Sequence, residues 1–539
     1  MEQIQLILTP QQAADEKQIQ KAVANSLHLP FADIQDVRII RRSVDARQRN
    51  IKVLLTVEPV IKDTPLLPEE GKPHYQDVHH SKRQVVIVGA GPAGLFAALT
   101  LLENGIKPVI LERGKEVSER KRDIAILNRN EGINTESNYC FGEGGAGTFS
   151  DGKLFSRSKK RGNMQRVMEL FHYHGAIENV LYEAHAHIGS DKLPGIIRNM
   201  RETIIEKGGE VNFGKKVTEL LFADSSRRRI AGVRCEDGTE YKGEAVILAI
   251  GHSAHDTYRM LANSGVRVET KGFAMGVRVE HPQALINRLM YKPLRTAANG
   301  DDLIRLLGNA SYSLVTQVEG RGVYSFCMCP GGHIVPAGSS KDGCVVNGMS
   351  ASHRNSPYAN SGIVVEIRPE DIEDSEKLTS NNEKQVNADG LAGLRFQEYV
   401  ERLAAEHGEA PDKAPAQRLR DFVEGKPSKD LPPCSYLPGI VVSRLDLWLP
   451  DIISKRLQQG FRDFARKYPG FLTNDAVILG VESRSSSAVR IPRDKETLQH
   501  VETEGLFPCG EGAGYAGGIT SSALDGINAA LYIAQHPAG

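Results

Sequence analysis

The stretch Val85–Glu112 reads VVIVGAGPAGLFAALTLLENGIKPVILE, and it decides the fold. Val85 to Val88 is a short apolar, β-branched run, long enough for one buried parallel strand. Gly89, Gly91 and Gly94 then give the spacing G-x-G-x-x-G. Leu95 to Asn104 has helical spacing, with Leu95, Leu99 and Leu102 on one face, and Gly105 stops that helix. Val109 to Leu111 opens a second strand that ends at Glu112. Gly89 allows the tight turn out of the strand. Gly91 removes a Cβ from the path of a pyrophosphate, and Gly94 lets helix and strand pack closely. The N-terminus of that helix offers free N–H groups and a positive dipole end. Glu112 lies twenty-one residues beyond Gly91, where an acid reaches ribose hydroxyls. This is the pattern of a dinucleotide site. By itself it leaves FAD and NAD open.

The chain around it has 539 residues, enough for several domains with substantial cores. Lys plus Arg equals Asp plus Glu, at 67 each, so charge gives no argument for nucleic acid or an anionic membrane as a main partner. The clusters Lys159-Lys160-Arg161 and Arg227-Arg228-Arg229 read as solvated loops. No apolar run approaches eighteen residues, and the start MEQIQLILTP lacks the basic region and long apolar core of a secretory signal. Seven cysteines, at 140, 235, 327, 329, 344, 434 and 509, do not have disulfide-scaffold or metal spacing. A cytoplasmic setting without a bound metal is the expectation.

Residues 1–62 read as a small α+β domain of βαββ order. Its strands are Gln3–Leu8, Val37–Val44 and Ile51–Val57, its helix Asp15–Leu27. Residues 63–82, with Pro65, Pro68 and Pro73, read as a linker. Residues 83–270 carry the first part of the dinucleotide domain. It includes a glycine-rich stretch Glu136–Leu154, helices near 164–174 and 192–207, a hairpin about Asp237-Gly238, and a buried strand Ala245–Ile250 ending in Gly251. Residues 271–475 read as an inserted domain, β-rich over 311–367, with a polar loop over 370–392 and helices at 397–406, 416–423 and 452–467. Residues 476–539 return to the first sheet through GLFPCGEGAGYAGGITSSALDGINAA, Gly505–Ala530, with a helix starting near Gly518 or Ile519.

The N-terminal G-x-G-x-x-G together with the C-terminal C-G-E-G-A-G-Y-A-G-G-I resembles the FAD-binding fold of the glutathione-reductase type. Physical chemistry agrees. Glu511 ends a strand where it can accept hydrogen bonds from ribityl hydroxyls, although most such families have Asp there. The helix after Gly518 can aim its N–H groups at the flavin edge that becomes negative on reduction. Within that superfamily the chain is similar to bacterial and plastid FAD-dependent dehydrogenases of unestablished substrate. Its markers are Gly142–Leu154, Cys329-Pro330-Gly331-Gly332, Asn347-Gly348-Met349-Ser350 and Gly480–Ser486. The motifs and the resemblance imply an FAD-facing set of Gly89, Gly91, Pro92, Ala93, Gly94, Glu112, Arg113, Gly145, Gly147, Thr148, Val217, Gly251, Gly510, Glu511, Gly518 and Ile519.

Residues that act beyond the cofactor are harder to read. Cys327-x-Cys329 could exchange electrons as a dithiol, or simply end a strand at a turn. His333 is an acid/base candidate against a structural histidine. Glu482, Arg484 and Ser486 fall on one face if a strand continues through them. Arg484 then either clamps a substrate carboxylate or forms a buried ion pair. Arg354–Ser361 reads as a polar loop that lines the same pocket, and Cys140 as a residue facing the flavin. No second G-x-G-x-x-G follows a strand, so NAD(P)H, if it is the electron donor, enters as a transient visitor.

The expectation is an α/β protein. It has a discontinuous Rossmann-like FAD-binding domain, an inserted β-rich substrate domain and the small N-terminal domain. It would act as an FAD-dependent oxidoreductase on a small molecule by hydride transfer through flavin N5. The rivals are a flavin monooxygenase, and a flavin-dependent RNA-modifying or partner-binding protein in which the N-terminal domain docks a protein.

Overall fold

Val85, Ile87 and their neighbours are apolar on alternate sides of one strand, and such a strand is stable only where both faces are covered. A computed structural model describes residues 3–62, 72–155, 162–223, 229–295, 300–372, 389–409 and 413–537. In it Gln84–Val88 is the centre of a five-stranded parallel sheet. The order is Leu506–Pro508, Ala245–Leu248, Gln84–Val88, Lys107–Glu112, Glu210–Phe213. Val85 lies opposite Pro108 on one side and Ala245 on the other. Val85 and Ile87 point into a core built with the helices Pro92–Glu103, Leu193–Glu206 and Ile519–Gln535. Val86 and Val88 point into the opposite core, closed by the antiparallel strands Val217–Phe222, Ile230–Cys235 and Glu240–Lys242. The mixed α/β class and the parallel sheet follow from the opening stretch. The fifth strand arrives from residues 506–508, near the other end of the sequence.

A second sheet has seven strands, in the order Val315–Val318, Arg321–Cys329, Tyr358–Ile367, Phe273–Pro282, Val477–Glu482, Ala414–Arg418, Ile440–Val442. Its two long central strands run antiparallel, Phe273 opposite Ile367 and Pro282 opposite Tyr358. The helix Asp451–Lys467 buries Ile453, Leu457, Phe461 and Phe464 in the core of this sheet. Three expectations fail here. Val477–Glu482, read as part of the return to the first sheet, is a strand of this one, between Phe273–Pro282 and Ala414–Arg418. Ala416–Val423 is not one helix: Ala414–Arg418 is a strand, and a helix runs only from Leu419 to Glu424. Ala414 to Gln417 are buried between two neighbouring strands, and the ladder overrides the helix propensity of Ala and Gln. Asn360 and Ser361 lie within the strand Tyr358–Ile367, not in a loop.

Residues 3–62 form a three-stranded sheet, Ile4–Leu8 and Ile34–Asp45 flanking Lys52–Ile61, under the helix Glu16–Leu27. Asp15 caps that helix by accepting from the Lys17 and Gln18 amides at 2.9 and 3.4 Å. Leu6, Ile19, Val23, Val53 and Val57 share a core of their own. Arg42 ties the unit to the main body through Glu183 at 2.7 Å and backbone bonds to Tyr182 and Ala184. Among the described residues no helix is long and apolar enough to cross a membrane. Residues 63–71, 159–161, 227–228 and 373–388, which include parts of the expected linker, basic clusters and polar loop, lie outside the described residues.

Candidate functional site

The three glycines of the opening turn fall into two kinds. Gly89 has φ +107°, and a Cβ on it would lie 2.4 Å from the Ala249 carbonyl oxygen. A Cβ on Gly94 would lie 2.0 Å from the Gly89 carbonyl oxygen. Both positions are glycine because the protein itself leaves no room. Gly91 has an ordinary φ of −76°, and the nearest atom to an added Cβ would be Gly145 Cα at 3.8 Å. Nothing in the protein demands glycine there, and the space before the helix Pro92–Glu103 stays open. The amides of Ala93 and Gly94 are first-turn donors without intrahelical acceptors.

The second helix start comes to the same place. Gly147 sits between the two: a Cβ on it would lie 3.2 Å from Ile519 Cγ1 and 3.8 Å from Pro92 Cγ. Gly518 is the N-cap of Ile519–Gln535, and both Gly517 and Gly518 face open space. The two helices cross closely, since a Cβ on Gly526 would meet the Ala93 carbonyl oxygen at 2.0 Å. Gly510 donates its amide to Asp525 at 2.7 Å and packs on Ala93. Two positive helix ends and a glycine-rich loop therefore border one open region.

Arg120 holds that loop. It is wholly buried, and its guanidinium donates to the carbonyls of Asn138, Tyr139, Gly142 and Glu143 and to Thr148 Oγ1, at 2.7–3.2 Å. Burial lowers its pKa to about 10. Glu112 joins the loop to the turn by accepting from the Ala90, Gly114 and Gly142 amides at 2.9–3.0 Å. Three of its acceptor directions are thus used by backbone. Gly251 turns at φ +70° against Gly512, and Val217 is buried in the core behind Val88 and Leu111. Glu511 lies 3.4 Å from His252 Nδ1 and remains partly open to solvent.

Arg113 departs from its expected role. Its guanidinium forks onto Asp256 at 2.8 and 2.8 Å, meets Glu136 at 2.6 Å and lies over the Phe141 ring. Burial alone would raise the Asp256 carboxyl, but Arg113 outweighs it and holds that group well below the carboxylate range. The cation is spent on the protein. A cleft of about 370 Å³ opens beside it, lined among others by Ser253, His255, Ser339 and Glu398, and does not reach the glycine turn.

The four marker stretches, scattered through the sequence, meet around Arg278. This residue is fully buried in the strand Phe273–Pro282. Its Nε donates to Asn360 at 3.0 Å, and Nη1 donates to Asn347 and Glu482 at 3.2 and 2.9 Å. Nη2 donates to the Cys327 carbonyl at 2.7 Å and lies 3.6 Å from Cys329 Sγ. A Cβ on Gly348 would lie 2.0 Å from Nη2, so the Asn347-Gly348 pair is shaped to admit the guanidinium. Burial, partly offset by Arg278, pushes the Glu482 carboxyl up to about 7. Lys153 completes the group. Its Nζ lies 3.9 Å from Cys327 Sγ, 3.7 Å from Cys329 Sγ and 3.2 Å from Asp151, which Arg354 also grips. The next residue, Leu154, accepts from Thr520 Oγ1 at 2.7 Å, in the first turn of the C-terminal helix. The Lys153 cluster therefore stands next to the open region.

The other candidates lie elsewhere. Glu482 ends its strand, so Arg484 does not share its face. Arg484 forks onto Glu401 at 2.9 and 2.9 Å and donates to Ser339 at 2.7 Å, so a protein carboxylate occupies the clamp. Burial alone would raise the Glu401 carboxyl, but Arg484 holds it below its usual range. His333 starts a short strand and is exposed, outside the Arg278 group. Cys140 donates its thiol to the Ala337 carbonyl at 3.3 Å. Sequence reasoning missed Arg120, Lys153 and Arg278. One signal was present: Arg278, Glu280 and His281 interrupt an otherwise apolar strand, and a central strand carries charge only where partners await it.

Comparison with known proteins gives three family matches: an FAD binding domain over residues 82–135, an FAD-dependent protein, C-terminal domain-like, over 272–485, and a domain of unknown function over 1–59. An uncharacterised protein of Clostridium beijerinckii is 39% identical over 537 residues, covering 96% of each chain. The two proteins belong to one family. FAD is the cofactor of this family member. Solved structures similar to it include CtdE in complex with FAD (11% identity, 84% of each chain, TM-score 0.30) and a geranylgeranyl bacteriochlorophyll reductase-like protein of Thermoplasma acidophilum (12% identity, 84% of this chain and 78% of that one, TM-score 0.33). The residues present do fit FAD: an open face at Gly91, two helix N-termini and a glycine-rich loop suit a long ligand with a pyrophosphate at its centre.

Proposed function

We propose that this flavoprotein is a dehydrogenase or reductase that moves a hydride between flavin N5 and a small organic substrate. The observation that carries the reading is the placement of Lys153 beside the first turn of Ile519–Gln535, with Arg278, Glu482 and two cysteines behind it. When bound, FAD supplies the two-electron acceptor or donor. Gly91, Ala93 and Gly94 would receive the pyrophosphate, with Gly145, Gly147 and Thr148 closing over it. Glu112, Val217 and Gly251 would shape the adenosine end, and Arg113 would act only by holding Asp256 in place. Glu511 with His252 would meet the ribityl chain, and Gly518 and Ile519 the pyrimidine edge. Lys153 would anchor a substrate anion at Nζ, while the seven-stranded sheet keeps water out. NAD(P)H would reach the flavin from the substrate side, and the N-terminal unit would dock any protein partner.

The test is direct. The purified chain should show a flavin spectrum and bleach anaerobically with NADH, NADPH or dithionite. A well-folded protein unable to bind FAD would overturn the reading. Oxygen consumption that places one oxygen atom in an organic substrate and the other in water, without release of peroxide, would favour a monooxygenase instead.

A further inference from the structure

The strand Arg321–Cys329 carries a bulge where it would be simplest to have none. Phe326 pairs with Gly362, but Cys329 pairs with Asn360, so one extra residue is fitted between them. Cys327 takes up that residue with φ +46°, a left-handed conformation that a side chain with a Cβ adopts at a cost. Such bulges re-aim side chains, and strained positions of this kind gather at working sites. Here both cysteine sulfurs lie against one ammonium, that of Lys153, and the Arg278 guanidinium lies behind Cys329. Cys327 is part-exposed and Cys329 is fully buried. Contact with the Cys329 thiol, helped by Lys153, holds the Cys327 thiol well below its ordinary value, while the same contact and burial push Cys329 up. Two cations facing a thiol pair stabilise a thiolate, which is the reactive form. Burial instead pushes up the thiols of Cys235, Cys434 and Cys509.

We propose that Cys327 and Cys329 are a redox pair that exchanges two electrons with the bound FAD. In the oxidising direction the Cys327 thiolate and the Cys329 thiol form one S–S bond. The Cys329 S–H bond breaks, and its proton and two electrons pass to the flavin. The reverse step consumes two electrons and one proton from the flavin, breaks the S–S bond and restores thiolate and thiol. Lys153 stays protonated throughout and holds the negative charge of the reduced pair. The inference rests on the FAD reading above and extends it. The external substrate class would then include thiols or disulfides small enough to reach the part-exposed Cys327.

The experiment uses the whole holoenzyme. Anaerobic dithionite titration of the air-oxidised protein should consume two equivalents, one for the flavin and one for the disulfide. Cys327→Ser and Cys329→Ser should each consume one. Independently, alkylation in denaturant should label five of the seven cysteines before reduction and all seven after. The tryptic peptide Gly322–Lys341, which holds both residues and no other cysteine, should be two hydrogens lighter before reduction. A flavin that bleaches with one equivalent in the wild-type protein, or a peptide with two free thiols after air oxidation, overturns the pair while leaving the FAD reading intact. A bound flavin that dithionite cannot bleach overturns both. The peptide measurement needs no variant, so a failure of either serine variant to fold does not blunt the test.

Discussion

Arg278 Nη1 lies 2.9 Å from Glu482 Oε2, and both side chains are almost wholly withdrawn from water. The pair joins two neighbouring strands of the seven-stranded sheet. Burial nonetheless raises the Glu482 carboxyl from its ordinary 4.5 to about 7. The folded chain therefore holds a proton that the unfolded chain releases in that interval. The contribution of this group is fully present below the unfolded value and is lost as pH rises through the folded one. Glu482→Gln keeps an acceptor for Arg278 and removes the titration. The stability of wild type relative to Glu482→Gln should fall with rising pH between about pH 5 and 7, by up to about 1.4 kcal/mol per unit. Urea unfolding of both proteins across that range checks it, and a flat difference would refute the raised carboxyl.

Arg120 concentrates the order of the glycine-rich loop in one guanidinium. Arg120→Met keeps the volume but strands several buried carbonyls. It should cost at least about 3 kcal/mol of stability, since each unpaired buried acceptor costs about 1–3. FAD should dissociate before global unfolding, visible as flavin fluorescence rising ahead of the loss of circular dichroism.

Gly91 and Gly94 separate cofactor contact from packing. Gly91→Ala meets nothing nearer than 3.8 Å, so it should lower apoprotein stability by no more than about 1 kcal/mol. It should weaken FAD binding by about tenfold or more, or roughly 1.4 kcal/mol. Gly94→Ala drives a Cβ to 2.0 Å from a backbone oxygen and should destabilise the apoprotein itself by about 1–3 kcal/mol. Equal effects on the two apoproteins would remove the ground for treating Gly91 as the ligand-facing glycine.

Arg484 and Glu401 form a buried fork. Glu401→Leu alone leaves an unpaired guanidinium and should cost about 3–5 kcal/mol, whereas adding Arg484→Met should recover most of it. A double-mutant cycle reads the coupling. If Arg484→Met alone abolished turnover without loss of stability, the residue would belong to the substrate site after all.

The opening glycine turn, its strand and its helix were readable because each needs only local spacing. So were most flanking elements, where apolar periodicity and cap residues speak for themselves. The strand Ala414–Arg418 was not, because its small residues favour a helix until two neighbouring strands claim them. Arg113 looked like a ligand-binding cation, and Arg484 stood open between a substrate clamp and a buried ion pair, because a sequence shows a charge but not its partner. Asp256 and Glu401 are 143 and 83 residues away from them in the chain. Lys153 was invisible for the same reason. Its significance comes from Cys327 and Cys329, 174 and 176 residues further on.

The fifth strand of the nucleotide-binding sheet and the second helix start lie at 506–508 and 519–535. On a ribosome that makes the chain from its N-terminus, the glycine turn at 89–94 emerges more than four hundred residues before the elements that complete its cleft. The first strands must wait, with one edge of the sheet unpaired, until the last segment arrives. On the cofactor placement proposed above, capture of FAD follows the folding of residues 506–535. Scarcity of the cofactor would be felt at the final closure of the sheet and not at its beginning.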